Sequence, residues 1–475
     1  MKRLIGNSLV YAIGNAANSA ALFLVIPFLI NTLSPAEYGA WSIFEIATFL
    51  LYLLILAGLE VGLMRQYWFQ SSEHGRARIV GTTILAVTGL GLLVVGVGTA
   101  LILTGVGNDL SGTPLSLLLV LWIGWSDALV TLFLTLFRIR EQAITFVTLS
   151  LGRLLLFALL IALAVSGGMG LIGALAARLI ASVVTIGVGW FIARRLIVWQ
   201  FDRAFGWQIA AYGLPLLPTN LAAYVLLSAD RYILQSFFTL EDVAIYTFAY
   251  KVATILDVLI TRPFALDWAS RRFKIATQPE AEQNYAYALV FYLWVVAFFG
   301  LMVVAVTPLV YALVAPATYH SAMAVVPIIL LAYIIYGLSY PLNVGIMLKD
   351  RTRDLPVIGF IAAFSYIGLC LWWIPAFDMI GAAWATVVAY VVWTGLITVD
   401  SLHLYPIRYP LGLIAGVAGA AAIGYGGLWL ADQWWPDVSV LAIVGRLVWV
   451  GVVMGGYGIV MWQLLSGQRL AQLLA

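Results

Sequence analysis

A chain of 475 residues that is 64% hydrophobic and 9% charged, with mean hydropathy +1.04, is not a soluble globular domain, in which about a quarter of residues carry charge. Its net charge of +3 comes from dispersed residues, so no basic block is offered to a nucleic-acid backbone. Cys370 is the only cysteine and the three histidines, His74, His320 and His403, are scattered among connecting segments, which excludes an internal disulfide and argues against a clustered metal site; no cofactor is expected.

The apolar runs are continuous rather than alternating, so the expected fold is all-α and polytopic, not a barrel. Fourteen spans are predicted. The first six run at about 7–31, 38–64, 79–104, 115–137, 144–166 and 171–192. Eight more follow at about 208–236, 243–266, 285–313, 324–348, 355–376, 379–400, 410–431 and 439–464. Met1-Lys2-Arg3 before an apolar stretch mimics a signal peptide, but the stretch is too long for one and runs into a second span, so it is kept as the first helix.

Lysine and arginine fall in alternate connections. Arg65, Arg76 and Arg78 are followed by Arg138 and Arg140, by Arg194, Arg195 and Arg203, by Arg271, Arg272 and Lys274, and by Lys349, Arg351, Arg353 and Arg408. The intervening connections, such as NTLSPAEY, GVGNDLSGTP, SGGMG, FTLED and PAFDM, have none. The positive-inside rule then places both termini in the cytoplasm and requires an even number of spans.

The two halves of the chain repeat. Residues 34–42, SPAEYGAWS, match residues 239–247, TLEDVAIYT, at an offset of 205, and 45–50, EIATFL, match 251–256, KVATIL, at 206. Residues 172–177, IGALAA, match 380–385, IGAAWA, at 208. Six helices are therefore duplicated. Because six is even, the copies are parallel, related by an axis along the membrane normal. The expected domains are an N-terminal bundle, 1–200, a second bundle, 201–405, and an appended pair of helices, 406–475. Two like bundles suggest alternating access about a central cleft, the plainer alternative being a passive scaffold grown by duplication.

Of the 24 Lys and Arg residues, six lie at membrane depth: Arg153, Arg178, Arg231, Lys251, Arg262 and Arg446. Ionisable groups at that depth are costly unless they pair or line a cavity, so each is a candidate functional residue. Lys251 and Arg262 fall about 20° apart on a straight eighth helix, a cationic stripe, with Asp257 directed to a neighbour or to Arg262. Glu45 and Glu60 form an acidic face about 60° wide on the second helix, with Tyr52 on the same side. The repeat sets Glu45 opposite the equivalent Lys251; a pair that breaks and reforms during transport and a fixed packing bridge are both compatible with this. Asp127 is a further buried acid.

Asn15 corresponds to Asn220, and amides at membrane depth serve either helix packing or sugar hydroxyls. Arg153 lies too deep to snorkel, whereas Arg178 and Arg446 can. Trp199, Trp372-Trp373 and Trp434-Trp435 sit near helix ends as interfacial anchors, the alternative being sugar stacking. Residues 212–234, YGLPLLPTNLAAYVLLSADRYIL, combine Pro215, Pro218, Asn220 and the adjacent Asp230-Arg231 pair. Two roles follow: a hinge at the prolines and a charged contact near the opposite end.

The stretch MKRLIGNSLVYAIGNAANSAALFLVIPFLINTLSPAEYGAWSIF resembles the first two helices of polysaccharide-biosynthesis exporters of the multidrug/oligosaccharidyl-lipid/polysaccharide superfamily. YGLPLLPTNLAAYVLLSADRYILQSFFTLEDVAIYTFAYKVATIL resembles their seventh and eighth. The resemblance spans nearly the whole chain and implies a non-enzymatic O-antigen or exopolysaccharide flippase. Its implied substrate is undecaprenyl-pyrophosphate-linked oligosaccharide, moved from the cytoplasmic to the outer leaflet of the bacterial inner membrane. It further implies that the first, second, seventh and eighth spans line the cleft.

On that basis Arg231, Lys251, Arg262, Arg153, Arg178, Asn15 and Asn220 are the expected substrate-binding residues. Glu45, Glu60, Asp230 and Asp257 are expected to couple or gate, with H+ or Na+ as the coupling ion, and Pro215 and Pro218 to form the hinge. Membrane lipid and the polysaccharide polymerase machinery are the other implied partners. The same-fold alternative is a multidrug and toxin-type cation antiporter, which would favour an acid-dominated cavity. A lipid-linked-sugar polymerase or ligase would need an external active site that the short connections leave little room to build.

Overall fold

The computed structural model describes residues 25–105, 112–434, 445 and 448–459. Among them all regular secondary structure is helical, with eleven helices long and apolar enough to cross a membrane. The eleven correspond to the predicted spans with two differences. The predicted pair 355–376 and 379–400 forms one 51-residue helical run, Asp354–Leu404, interrupted at Asp378, where φ 54° and ψ −141° are not helical. Most of the first predicted span and much of the last lie outside the described residues: the first is described, and helical, only from residue 25, and the last leaves an apolar helix, Val448–Ile459.

The chain divides into two compact units. One ends at Ser228 and takes in Thr239–Ala244; the other holds Ala229–Phe238 and the chain from Ile245.

In the first unit α1 (Pro35–Leu56) starts where the sequence dictates. Ser34 accepts from the Glu37 backbone N–H, the Glu37 carboxylate accepts from the Ser34 backbone N–H at 2.9 Å, and Pro35, which needs no acceptor for a missing N–H, opens the first turn. The repeat carries the same device: the Asp242 carboxylate accepts from the Thr239 backbone N–H at 3.0 Å. Glu37 also accepts from the Leu171 backbone N–H at 3.3 Å, tying two helix starts together.

A left-handed step at Ala57 (φ 47°) and Gly58 (φ 73°) separates α1 from α2 (Leu59–Phe69). Then come α3 (Glu73–Leu103), α4 (Pro114–Ile139), α5 (Ala143–Ser166), α6 (Gly170–Ala193) and α7 (Arg203–Gly213). A 3-10 turn, Leu214–Leu216, joins α7 to α8 (Leu217–Phe237), the helix in which the two units meet along the chain. Ile55, Leu59, Leu63, Ile79, Leu132, Phe133 and Ile209 belong to the unit's apolar core, which binds α7 to the first four helices.

In the second unit α9 (Leu240–Leu256), which begins in the first, gives way to a π-helical turn, Asp257–Thr261, and then to α10 (Arg262–Ala276). The remaining helices are α11 (Ala281–Val314), α12 (Val325–Leu342), α13 (Val344–Leu348), α14 (Asp354–Leu404) and α15 (Leu411–Trp434). Pro263 explains the π turn. Proline lacks the N–H that an α-helical ladder would donate one turn back, and the ring crowds that turn, so the backbone widens before it. α15 and Tyr457 pack on α11 through Val290, Leu293, Leu301, Val417 and Leu428, so the appended helices share the second unit's core.

Candidate functional site

Among the described residues three clusters of ionisable side chains occur in the apolar helices, each within one unit. In the first unit Asp127 of α4 is held by two guanidinium groups. Arg153 of α5 and Arg178 of α6 donate to its two oxygens, the latter at 2.8 Å. Ser182, one turn beyond Arg178, donates to Asp127 at 3.1 Å and accepts from Arg153 at 2.9 Å. Burying a lone guanidinium would cost several kcal/mol, and a shared carboxylate with a hydroxyl offsets that cost for both. The cluster also ties α4, α5 and α6 together.

In the second unit Asp230 of α8 is fully buried. One of its oxygens accepts from the Tyr246 hydroxyl at 2.6 Å, and the other accepts from the Arg231 backbone N–H at 2.9 Å and from its guanidinium at 3.5 Å. The guanidinium carbon lies 4.0 Å from the Tyr250 ring centre and 5.9 Å from that of Tyr246. Arg231 thus sits against two π-faces and a carboxylate, an arrangement that suits a buried cation. Adjacent residues project about 100° apart on a helix, so the wide 3.5 Å contact is what neighbours in sequence can reach.

The third cluster is at the π turn. Asp257 is buried and accepts from Arg262 Nε at 2.8 Å, while 64% of the Arg262 side chain stays exposed. The pair spans the turn. Thr261, in the same turn, shares a 3.0 Å hydroxyl contact with Tyr292. Lys251, on the α-helical side of the turn, is half-buried. A straight-helix projection of Lys251 onto Arg262 does not apply, because the π turn between them changes the angular register.

The other sequence-predicted residues are dispersed. Glu45 is half-buried on α1 and Asn220 half-buried on α8. Glu60 is in the first turn of α2, just past Gly58, and its Oε2 is buried with no hydrogen-bond partner among the described residues. Pro215 lies in the 3-10 turn and Pro218 in the first turn of α8. Asn15 and Arg446 lie outside the described residues. Sequence reasoning named Asp127 as a buried acid without its partners, and missed Ser182, Tyr246 and Tyr250. Pro263 was the available signal for the π turn.

A family described as "Polysaccharide biosynthesis protein" matches residues 4–266, more than half of the chain. The chain belongs to the polysaccharide biosynthesis protein family. No curated protein matches it. Among solved structures it is similar to the lipid II flippase MurJ in an inward closed conformation, with TM-score 0.76 and 12% identity over 96% of this chain and 99% of that one. It is also similar to a multidrug resistance MATE family transporter of the MOP superfamily in its inward-facing conformation, with TM-score 0.63 and 15% identity over 83% and 98% of the two chains. The outward-facing conformation of such a MATE transporter matches at TM-score 0.57 and 14% identity, over 85% and 95%. This family member therefore has the fold of MOP-superfamily transporters and is a multi-pass membrane protein.

Proposed function

We propose that this protein is a flippase that carries undecaprenyl-pyrophosphate-linked oligosaccharide from the cytoplasmic to the outer leaflet of the bacterial inner membrane, by alternating access, for O-antigen or exopolysaccharide synthesis. The observation that carries this reading is that a chain of the polysaccharide biosynthesis family has the fold of a lipid II flippase over 96% of its length. The chemistry of the charges supports it. A pyrophosphate crossing a membrane must have its two phosphates' charge offset, and guanidinium groups do so with directed hydrogen bonds.

In this reading the parallel bundles 1–200 and 201–405 rock about a cleft, with 406–475 appended. Arg262 is the leading substrate contact because its guanidinium is exposed while anchored by Asp257. Arg231, Lys251, Arg153 and Arg178 contribute positive potential, and Asn15 and Asn220 meet the glycan. Glu45, Glu60, Asp230 and Asp257 couple or gate, and the prolines at 215 and 218 provide the hinge. The polymerase machinery would receive the product.

The likeness to MATE transporters favours a cation antiporter as the second reading. A leaflet-accessibility assay on proteoliposomes carrying a defined lipid-linked oligosaccharide separates the two. Appearance of the glycan at the opposite leaflet, lost in Arg262→Ala and partly kept in Arg262→Lys, supports the flippase. An immobile glycan together with proton- or sodium-driven uptake of an organic cation supports the antiporter.

A further inference from the structure

We propose that the segment joining α6 to α7 is a binding surface for anionic phospholipid headgroups. This proposal is independent of which substrate the protein carries. Between Ala193 and Arg203 the chain makes one 3-10 turn, Arg194–Leu196, and then an irregular stretch, extended at Ile197 and Asp202 and tightened at Trp199, where the Gln200 N–H donates to the Val198 carbonyl at 2.7 Å. It is clipped along α3 by four contacts. The Val198 backbone N–H donates to the Ala77 carbonyl at 3.1 Å, and Thr82 Oγ1 donates to the Gln200 carbonyl at 3.2 Å. Thr82 Oγ1 also accepts from the Asp202 N–H at 3.1 Å, and Arg78 pairs with Asp202 at 2.6 Å. A connection held this firmly has a fixed outer face.

That face has an unusual composition. Asp202 is turned to Arg78 on α3, whereas Trp199 and Phe201 stand out from the packed side of the segment. Each is 55% exposed, and Trp207, on the first turns of α7, is 74% exposed. Arg194, Arg195 and Arg203 flank them, all exposed. Arg194 stands over the Phe191 ring at 4.3 Å, a cation–π contact.

Large aromatics left in water forfeit the transfer free energy their burial would provide, yet the fixed backbone holds them out. Indole and phenyl rings at headgroup level recover it, and three arginines among them supply bidentate donors for phosphate. The charge complementarity selects an anionic lipid over a zwitterionic one, because an anionic leaflet attracts basic residues near its surface and a net-neutral headgroup does not.

The test uses the full-length protein in detergent, titrated with phosphatidylglycerol or phosphatidylcholine, reading retained lipid by native mass spectrometry and the thermal midpoint of unfolding. Phosphatidylglycerol is expected to be retained and to raise the midpoint, phosphatidylcholine to do neither. A variant carrying Arg194→Gln, Arg195→Gln and Arg203→Gln is expected to lose about tenfold or more in phosphatidylglycerol affinity. Equal retention of both lipids, unchanged retention by the variant, or equal stabilisation by inorganic phosphate alone would overturn the proposal. Should the variant not fold, the wild-type chain still decides. Phosphatidylglycerol that phosphatidylcholine cannot displace and that raised salt weakens supports the surface, and free exchange between the two lipids refutes it.

Discussion

Gly58 and Gly213 meet backbone to backbone. A Cβ on Gly58 would stand 2.3 Å from the Gly213 carbonyl oxygen, and one on Gly213 would stand 2.4 Å from that of Gly58. Each glycine ends a helical segment: Gly58 precedes α2 and Gly213 closes α7. Two interrupted helices therefore cross at their interruptions, and α2 packs against α7 beyond the crossing, where Gly62 meets the Ile209 carbonyl. Small residues let membrane helices approach this closely, and packing of this kind is what holds them together where no water drives association.

Gly213→Ala tests the crossing without changing a backbone preference, since only the methyl group is new. It is expected to cost about 1–3 kcal/mol through overpacking, read as a lowered unfolding midpoint in detergent. Gly58→Ala should cost more, because φ 73° adds backbone strain to the same collision.

Asp127→Asn removes the carboxylate shared by Arg153 and Arg178 while keeping its shape. Two guanidinium groups then lack a counter-charge, and the loss is expected to be on the order of 3–5 kcal/mol. Arg178→Met alone should be milder, since Asp127 retains Arg153 and Ser182. Equilibrium unfolding of the two variants in the same detergent ranks them.

Tyr246→Phe deletes the 2.6 Å hydrogen bond to Asp230 and leaves the ring beside Arg231. A hydrogen bond to a buried charge is worth about 1.5–3 kcal/mol, so that is the expected destabilisation. Tyr250→Phe keeps the π-face at 4.0 Å and should preserve the cation–π contact with Arg231. A double-mutant cycle with Asp230→Asn isolates the Tyr246 term.

Pro263→Ala restores the N–H whose absence widens the helix at Asp257–Thr261. Recovery of α-helical pairing there is expected, seen as slower amide hydrogen exchange across residues 257–261. The altered register should also weaken the Asp257–Arg262 pair and lower glycan translocation in the proteoliposome assay, with the protein still inserted.

The sequence by itself determined the elements. Apolar run length set the spans, Ser34-Pro35-Ala36-Glu37 and Thr239-Leu240-Glu241-Asp242 set two helix starts through contacts three residues apart, and the prolines at 215 and 218 marked the change at Leu214–Leu216. All of these are local effects, written within a few residues. The membrane-depth charges were equally legible as a set, because an arginine in an apolar run is conspicuous whatever surrounds it.

Only the tertiary structure decided which charges meet. Arg153 and Arg178 share Asp127 from positions 26 and 51 residues along the chain, a pairing no spacing rule encodes. Asp230 is satisfied on one oxygen by Arg231 beside it and on the other by Tyr246 on the next helix, a partner 16 residues away. Gly58 gave no sign that it would face Gly213, since a glycine's need for room depends on what packs against it. Helix formation is governed by neighbours in sequence, whereas the partner of a buried charge or a bare backbone is set by how the helices cross.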